Sequence, residues 1–382
     1  MDKEMQRNML LAIALSILIM IVWTRFFAPK PPERPPQELP EQAWPTEQPG
    51  EFPLPIPEVQ PAARPAVEVI PLEELAEAQD VVVETQHMAA TFTTLGGRLS
   101  SLRLTEYDSK KGGQVEMVPF NEEMQWPLAL AFNDPEFGNR TENFVYEHRI
   151  YEPSGETLRQ AAEALRACSG KFVPAADEEA IRRQIDLCLP KFEKNGDLRA
   201  LVLAIAAQKA VAEKSRESLT GQADLLANSK VLVFSRQMTP RLRLVKAFVF
   251  PDDAYSFDMH VALRNTADYL LDIGHGRASY AINWAPGMES SERVAKQDQL
   301  VGVHLVEKNF GQKAIRKLKE EREFPESLRW IGLKRQYFFI ALEPGGGLMS
   351  ASMKALGNKE ERVRISLNMQ PVRLAPGDVA VG

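Results

Sequence analysis

Five histidines and two cysteines carry most of the chemical potential of this 382-residue sequence. Acid–base chemistry needs a histidine or carboxylate pair converging on one cleft with tuned pKa values. His87, His148, His260, His275 and His304 instead fall in separate segments, and none sits in a recognisable motif. Nor is their spacing that of a zinc site. No G-x-S-x-G, P-loop or G-x-G-x-x-G occurs, and Gly345-Gly-Gly347 after Pro344 reads as a turn. The sequence therefore predicts no catalytic residue, no metal and no cofactor. Cys168 and Cys188 are close enough in sequence for a helical hairpin to bring them together, and an oxidising compartment would then close a disulfide. Two unrelated buried thiols are the equal alternative. Trp330, Tyr337 and Phe338 line a hydrophobic groove for an extended peptide on one reading and pack into the core on the other, which is the default for strand aromatics. The run Lys313–Glu323 reads as a charged surface helix.

Composition narrows the partners. With 46 basic against 52 acidic side chains and a net charge of −6, the chain has no field for phosphate backbones, so no nucleic acid is expected. A chain 44% hydrophobic and 26% charged is that of a folded protein, and its length predicts two or three units.

The N-terminal 28 residues read as a transmembrane signal-anchor. An apolar run from Met9 to Trp23, extended by Phe26, Phe27 and Ala28, approaches the ~20 residues that span a bilayer. The stretch Trp23–Pro29 offers no small-residue cleavage pattern, which argues against a removed signal peptide. Charges leave the orientation open: Lys3 and Arg7 precede the span, while Arg25, Lys30 and Arg34 follow it. Fourteen of the 27 prolines lie between Pro29 and Pro71, so residues 29–71 read as an extended, semi-rigid linker, with a PxxP ligand as the alternative.

Residues 72–382 read as one mainly β domain. Period-two segments at Asp80–Thr85, Met88–Thr94 and Arg98–Leu104 are joined through Gly96-Gly97. Further strands are expected at 128–132, 144–150, 230–236, 242–250, 255–265, 270–273 and 279–284, then at 328–333, 337–342, 349–355 and 362–368. In Phe257–Leu263 the apolar residues share one face and Asp258, His260 and Ala262 the other, as in a half-buried antiparallel strand. Many short strands between Gly, Pro, Asn and Asp turns argue for a large β-sandwich. Residues 155–227 form a helical insertion, with helices expected at Glu156–Ala167, Asp177–Leu189 and Leu198–Lys214.

Several segments resemble the YidC family of membrane protein insertases. They are Gln6–Ala12 with its apolar run and Trp23, Leu242–Phe250 followed by Asp253–Asp258, the segment Trp330–Pro344, and the closing Gln370–Gly377. The resemblance implies an uncleaved anchor with a cytoplasmic N-terminus in the bacterial inner membrane. It also implies a periplasmic galactose-mutarotase-like β-supersandwich, and partners among Sec translocon components, nascent inner-membrane proteins and the lipid bilayer. The helical insertion departs from the family pattern. The family's five further transmembrane helices, with their buried arginine, have no counterpart in this sequence, so none of those residues carries over. The rival expectation from another class is a membrane-tethered sugar-processing or carbohydrate-binding protein on a mutarotase-like sandwich.

Overall fold

The computed structural model describes residues 78–109, 112–119, 127–133, 144–153, 155–173, 178–188, 205, 215–289, 299–357 and 361–382. The expected anchor, the linker and the helix at Leu198–Lys214, apart from residue 205, lie outside them. Among the described residues no helix is long and apolar enough to cross a membrane.

The chain is mainly β, as expected. Among the described residues twenty strands form five sheets, and the strand pairings are antiparallel. Four strands from Asp80–Glu84 to Gln114–Glu116 make a meander in chain order. A five-stranded sheet runs in the order Val379–Val381, Asp258–Asn265, Leu242–Pro251, Ser229–Thr239, Glu147–Tyr151. A second five-stranded sheet is built around Leu348–Ala355 and Val363–Met369. A four-stranded sheet follows the order Asn309–Ala314, Val301–Val306, Leu328–Lys334, Phe339–Leu342. A two-stranded ribbon pairs Leu271–Ile273 with Val372–Leu374. All five contribute to one hydrophobic cluster, represented by Phe92, Phe248, Ile273, Ile331 and Ile365.

The strands Ser229–Thr239 and Leu242–Pro251 show why their sequences are almost continuously apolar. Leu232, Phe234, Leu244, Phe248 and Phe250 enter the main cluster. Their alternates Val231, Ala247 and Val249 enter a second cluster under the helices. A strand covered on both faces has no polar side to display. Each fully buried Phe or Leu is worth roughly 1.5–3 kcal/mol of transfer free energy.

The helices α1 (Glu156–Lys171), α2 (Glu178–Cys188) and α3 (Arg216–Ala227) lie between two strands that pair with each other, Glu147–Tyr151 and Ser229–Thr239. In α1, Leu158, Ala161, Ala162, Leu165 and Cys168 are buried, a three-and-four spacing that makes one apolar face. Leu219, Ala223 and Leu226 of α3 meet them over the sheet. The α1–α3 seam is tied by Ser169 and Thr220 hydroxyls 2.9 Å apart and by Arg166–Asp224 at 2.9 Å.

The charged run before the strand Arg322–Pro325 departs most from the sequence expectation. The run Lys313–Glu323 is not a surface helix. It finishes the strand Asn309–Ala314, makes one 3-10 turn at Ile315–Lys317 and enters the strand Arg322–Pro325. Its few apolar residues decide this, because Ile315 and Leu318, with Phe324 just beyond the run, are drawn into the core, a demand the solvated charges cannot oppose.

Glycine 332 marks the tightest packing in the four-stranded sheet. A Cβ there would stand 2.1 Å from the Ile340 carbonyl oxygen on the neighbouring strand. Gly332→Ala should therefore loosen the pairing of Leu328–Lys334 with Phe339–Leu342 and destabilise the domain by about 1–3 kcal/mol. Hydrogen exchange at residues 339–342 reads the loss directly; unchanged protection there would refute the packing argument.

Candidate functional site

The five histidines stay apart. His87 precedes the second strand, with Nδ1 2.9 Å from a Glu106 carboxylate oxygen and its ring stacked on Tyr255 at 4.5 Å. Tyr255 also donates its hydroxyl to Glu106. That bond, followed by the one from His87, holds the Glu106 carboxyl below its usual range, and the same Glu106 bond, followed by burial, pushes the Tyr255 phenol up. His148 lies on an edge strand, His260 in mid-strand, and His275 in a turn at φ 46°. His304 is buried on Val301–Val306, 3.2 Å from an Arg322 guanidinium nitrogen and beside the Phe324 ring. Among the described residues no group of three or more His, Cys, Asp or Glu is placed to hold a metal.

His304 carries a pH dependence whose sign is fixed. Burial first, then the Arg322 charge, lower its pKa in the folded state. The folded chain thus binds fewer protons than the unfolded one, whose imidazole titrates near 6.5. This contribution to stability is present above about pH 6.5 and is lost as pH falls toward the folded pKa. Urea midpoints measured between pH 7.5 and 5 should fall more in the native protein than in His304→Gln, and parallel profiles would contradict the assignment.

A cavity of about 160 Å³ lies between the end of the chain and the strand Asp258–Asn265. It is lined by Val261, Leu263, Tyr280, Met369, Val372 and Val381, among others, with no histidine and no carboxylate side chain. Burial pushes the Tyr280 phenol up, so it stays a neutral wall. The cavity suits apolar packing and has no acid–base pair.

Structure separates the aromatic trio. Trp330 lies on the outward face of the four-stranded sheet, opposite Leu305, and stacks edge-on with Phe339 at 5.6 Å and near Phe310 at 6.1 Å. Phe310 and Phe339 are 58% and 51% exposed. Tyr337 stands 76% exposed in the turn before Phe339. Phe338 alone turns toward the core, edge-on to Tyr107 at 5.7 Å. The three are neither a groove nor a core cluster: Trp330 belongs to an exposed aromatic face with two phenylalanines that sequence reasoning passed over. The signal was available in Leu305 and Phe310, which pair across the hairpin. Cys168 is buried on α1. The Cys188 side chain lies outside the described residues.

The residue of greatest structural consequence is one the sequence reading left unexamined. Lys246 has no exposed surface. Its Nζ donates to the carbonyls of Gly96, Gly97 and Leu128 at 3.0, 2.6 and 2.9 Å. All three acceptor residues have left-handed backbone, with φ of 74°, 54° and 64°. A lysine on the inward side of an apolar strand, two residues from Leu244 and Phe248, was the clue.

Comparison with known proteins relates part of the domain to a described family. Residues 201–381 match the family described as the YidC periplasmic domain. Two curated relatives are each called membrane protein insertase YidC. The one from Paracoccus denitrificans is 34% identical over 108 residues, covering 28% of this chain and 17% of that protein. The one from Cereibacter sphaeroides is 33% identical over 115 residues, covering 30% and 17%. The match thus spans about a sixth of either relative. Solved structures with a similar trace include a galactose mutarotase-like protein from Lactobacillus casei, with a TM-score of 0.44 at 8% identity over 79% of this chain and 97% of that one. Another is a putative aldose 1-epimerase from Escherichia coli, with a TM-score of 0.35 at 8% identity over 80% and 97%. Likenesses that distant transfer no chemistry. The helices α1 and α2 precede the matched stretch, whereas Lys246 and Trp330 fall inside it.

Proposed function

We propose that this chain serves the insertion and folding of bacterial inner-membrane proteins, alone or beside the Sec translocon. The observation that carries the reading is the match of residues 201–381 to the YidC periplasmic domain. In this reading residues 1–28 anchor the chain with the N-terminus in the cytoplasm, 29–71 form the tether, and 72–382 work in the periplasm. The driving force is transfer of apolar helices from water into lipid. No bond is broken, and the domain binds or scaffolds. Nascent inner-membrane proteins and Sec components are its proposed partners. Supporting this over a sugar-processing role, the described histidines are dispersed over separate elements and the 160 Å³ cavity has no histidine or carboxylate side chain in its wall.

Photo-crosslinking from a ribosome-stalled nascent membrane protein in native membranes tests it. An adduct with this protein is expected. Adducts with the translocon but none with this protein would overturn the reading, and turnover of an aldose anomer by the purified chain would favour the rival. The periplasm would also let Cys168 bridge Cys188. Alkylation under denaturing conditions without reductant should then add no mass, and two adducts would exclude the bridge.

A further inference from the structure

We infer that the outward face of the sheet formed by Asn309–Ala314, Val301–Val306, Leu328–Lys334 and Phe339–Leu342 lies against an anionic phospholipid bilayer. Two observations meet there. Phe310, Trp330 and Phe339 form a connected aromatic face with Tyr337 exposed at its end. The edge strand of the same sheet, with the turn before it and the 3-10 turn and loop after it, carries Lys308, Lys313, Arg316, Lys317 and Lys319 between Glu307 and Glu320, in a chain whose net charge is −6. All five are exposed, and Arg316 also reaches Glu361 at 3.1 Å.

The plainer reading is that lysines on an edge strand block edge-to-edge pairing. It accounts for Lys308 and Lys313. It leaves unexplained why the adjoining face shows water a cluster of rings, when exposed apolar side chains on monomers are ordinarily scattered. Among occupants, a protein is the poorer fit, because lysine is depleted in protein interfaces. A second copy is poorer still, since it brings the same cations into register. Aromatic rings beside lysine and arginine suit the headgroup layer, where amphipathic rings settle and cations meet phosphate. The inference rests on the membrane anchorage proposed above, which brings the domain within reach of a bilayer.

The test uses the full chain with p-benzoylphenylalanine in place of Phe310, reconstituted in phosphatidylcholine vesicles with or without phosphatidylglycerol. The same probe in place of Tyr269, 45% exposed on another element, is the control. Irradiation should give a phospholipid adduct at position 310 severalfold stronger than at 269. The adduct should fall severalfold without phosphatidylglycerol and in the variant Lys308→Glu, Lys313→Glu, Lys317→Glu. A chain that floats with vesicles but gives no excess adduct at 310 overturns the face assignment while anchorage stands. One that does not float overturns the anchorage itself. A crosslinked dimer or a protein adduct at 310, or lipid adduct indifferent to charge, also overturns the inference.

Discussion

Lys246→Met should destabilise the domain by about 3–5 kcal/mol. Methionine keeps the length and most of the volume of the lysine, so packing among Phe234, Phe248 and Val261 changes little. What disappears is the ammonium that three carbonyls address. Each buried acceptor left without a donor costs roughly 1–3 kcal/mol. The carbonyls cannot simply turn away: Gly96, Gly97 and Leu128 hold left-handed backbone, and Leu128 is not a glycine. Lys246 therefore fastens two separate turns onto the middle of the central sheet. Arginine should not substitute, since its planar fork needs more room and a different donor geometry. Urea or guanidinium midpoints measure the cost, and hydrogen exchange at residues 96–97 should rise with it. A native-like midpoint for Lys246→Met would show that the ammonium is not bound as described.

Glu361→Ala should cost about as much, for a different reason. Arg335 Nη1 meets a Glu361 carboxylate oxygen at 2.9 Å, with both side chains only 7% exposed. Arg335 also reaches the Met288 carbonyl at 3.3 Å. Removing the carboxylate strips the buried guanidinium of the Glu361 charge, a loss of about 3–5 kcal/mol. The Arg316 contact to the same carboxylate is half exposed and adds little. The double variant Arg335→Met, Glu361→Leu should recover most of the loss, because a buried pair replaced by apolar side chains of similar volume is often close to neutral. If the double variant is as unstable as the sum of the single ones, the pair is not coupled as the geometry requires.

Much of this fold could be read in the chain because its signals are local. Alternation located Asp80–Glu84 and Val363–Met369, a nearly continuous apolar run located Leu242–Pro251, and the Gly96-Gly97 turn takes the left-handed backbone that glycine permits. The helix at Glu156–Lys171 was legible from its apolar spacing, although it runs past the expected end at Ala167. The edge strand Asn309–Ala314 was not. Apart from Phe310 its residues are polar or small, and the pairing depends on His304, against which a Cβ at Gly311 would stand at 2.3 Å. No local pattern announces such a contact. α3 favours helix by composition except at Thr220-Gly221 in its middle, and Leu219, Ala223 and Leu226 packing on α1 hold it across that weak point. The aromatic face was half legible. Trp330 and Tyr337 stood out, but which side of the sheet they occupy follows from strand order, and strand order is a long-range property.

The central claim, that this chain works in membrane protein insertion, is tested most directly in its native cells. The protein would be depleted, and a pulse-labelled single-span inner-membrane client followed by protease protection. The account predicts that insertion falls on depletion, returns with the native gene, and returns only in part when that gene carries Lys246→Met at a temperature where the domain is unfolded. Client insertion that proceeds at its normal rate without the protein would contradict it.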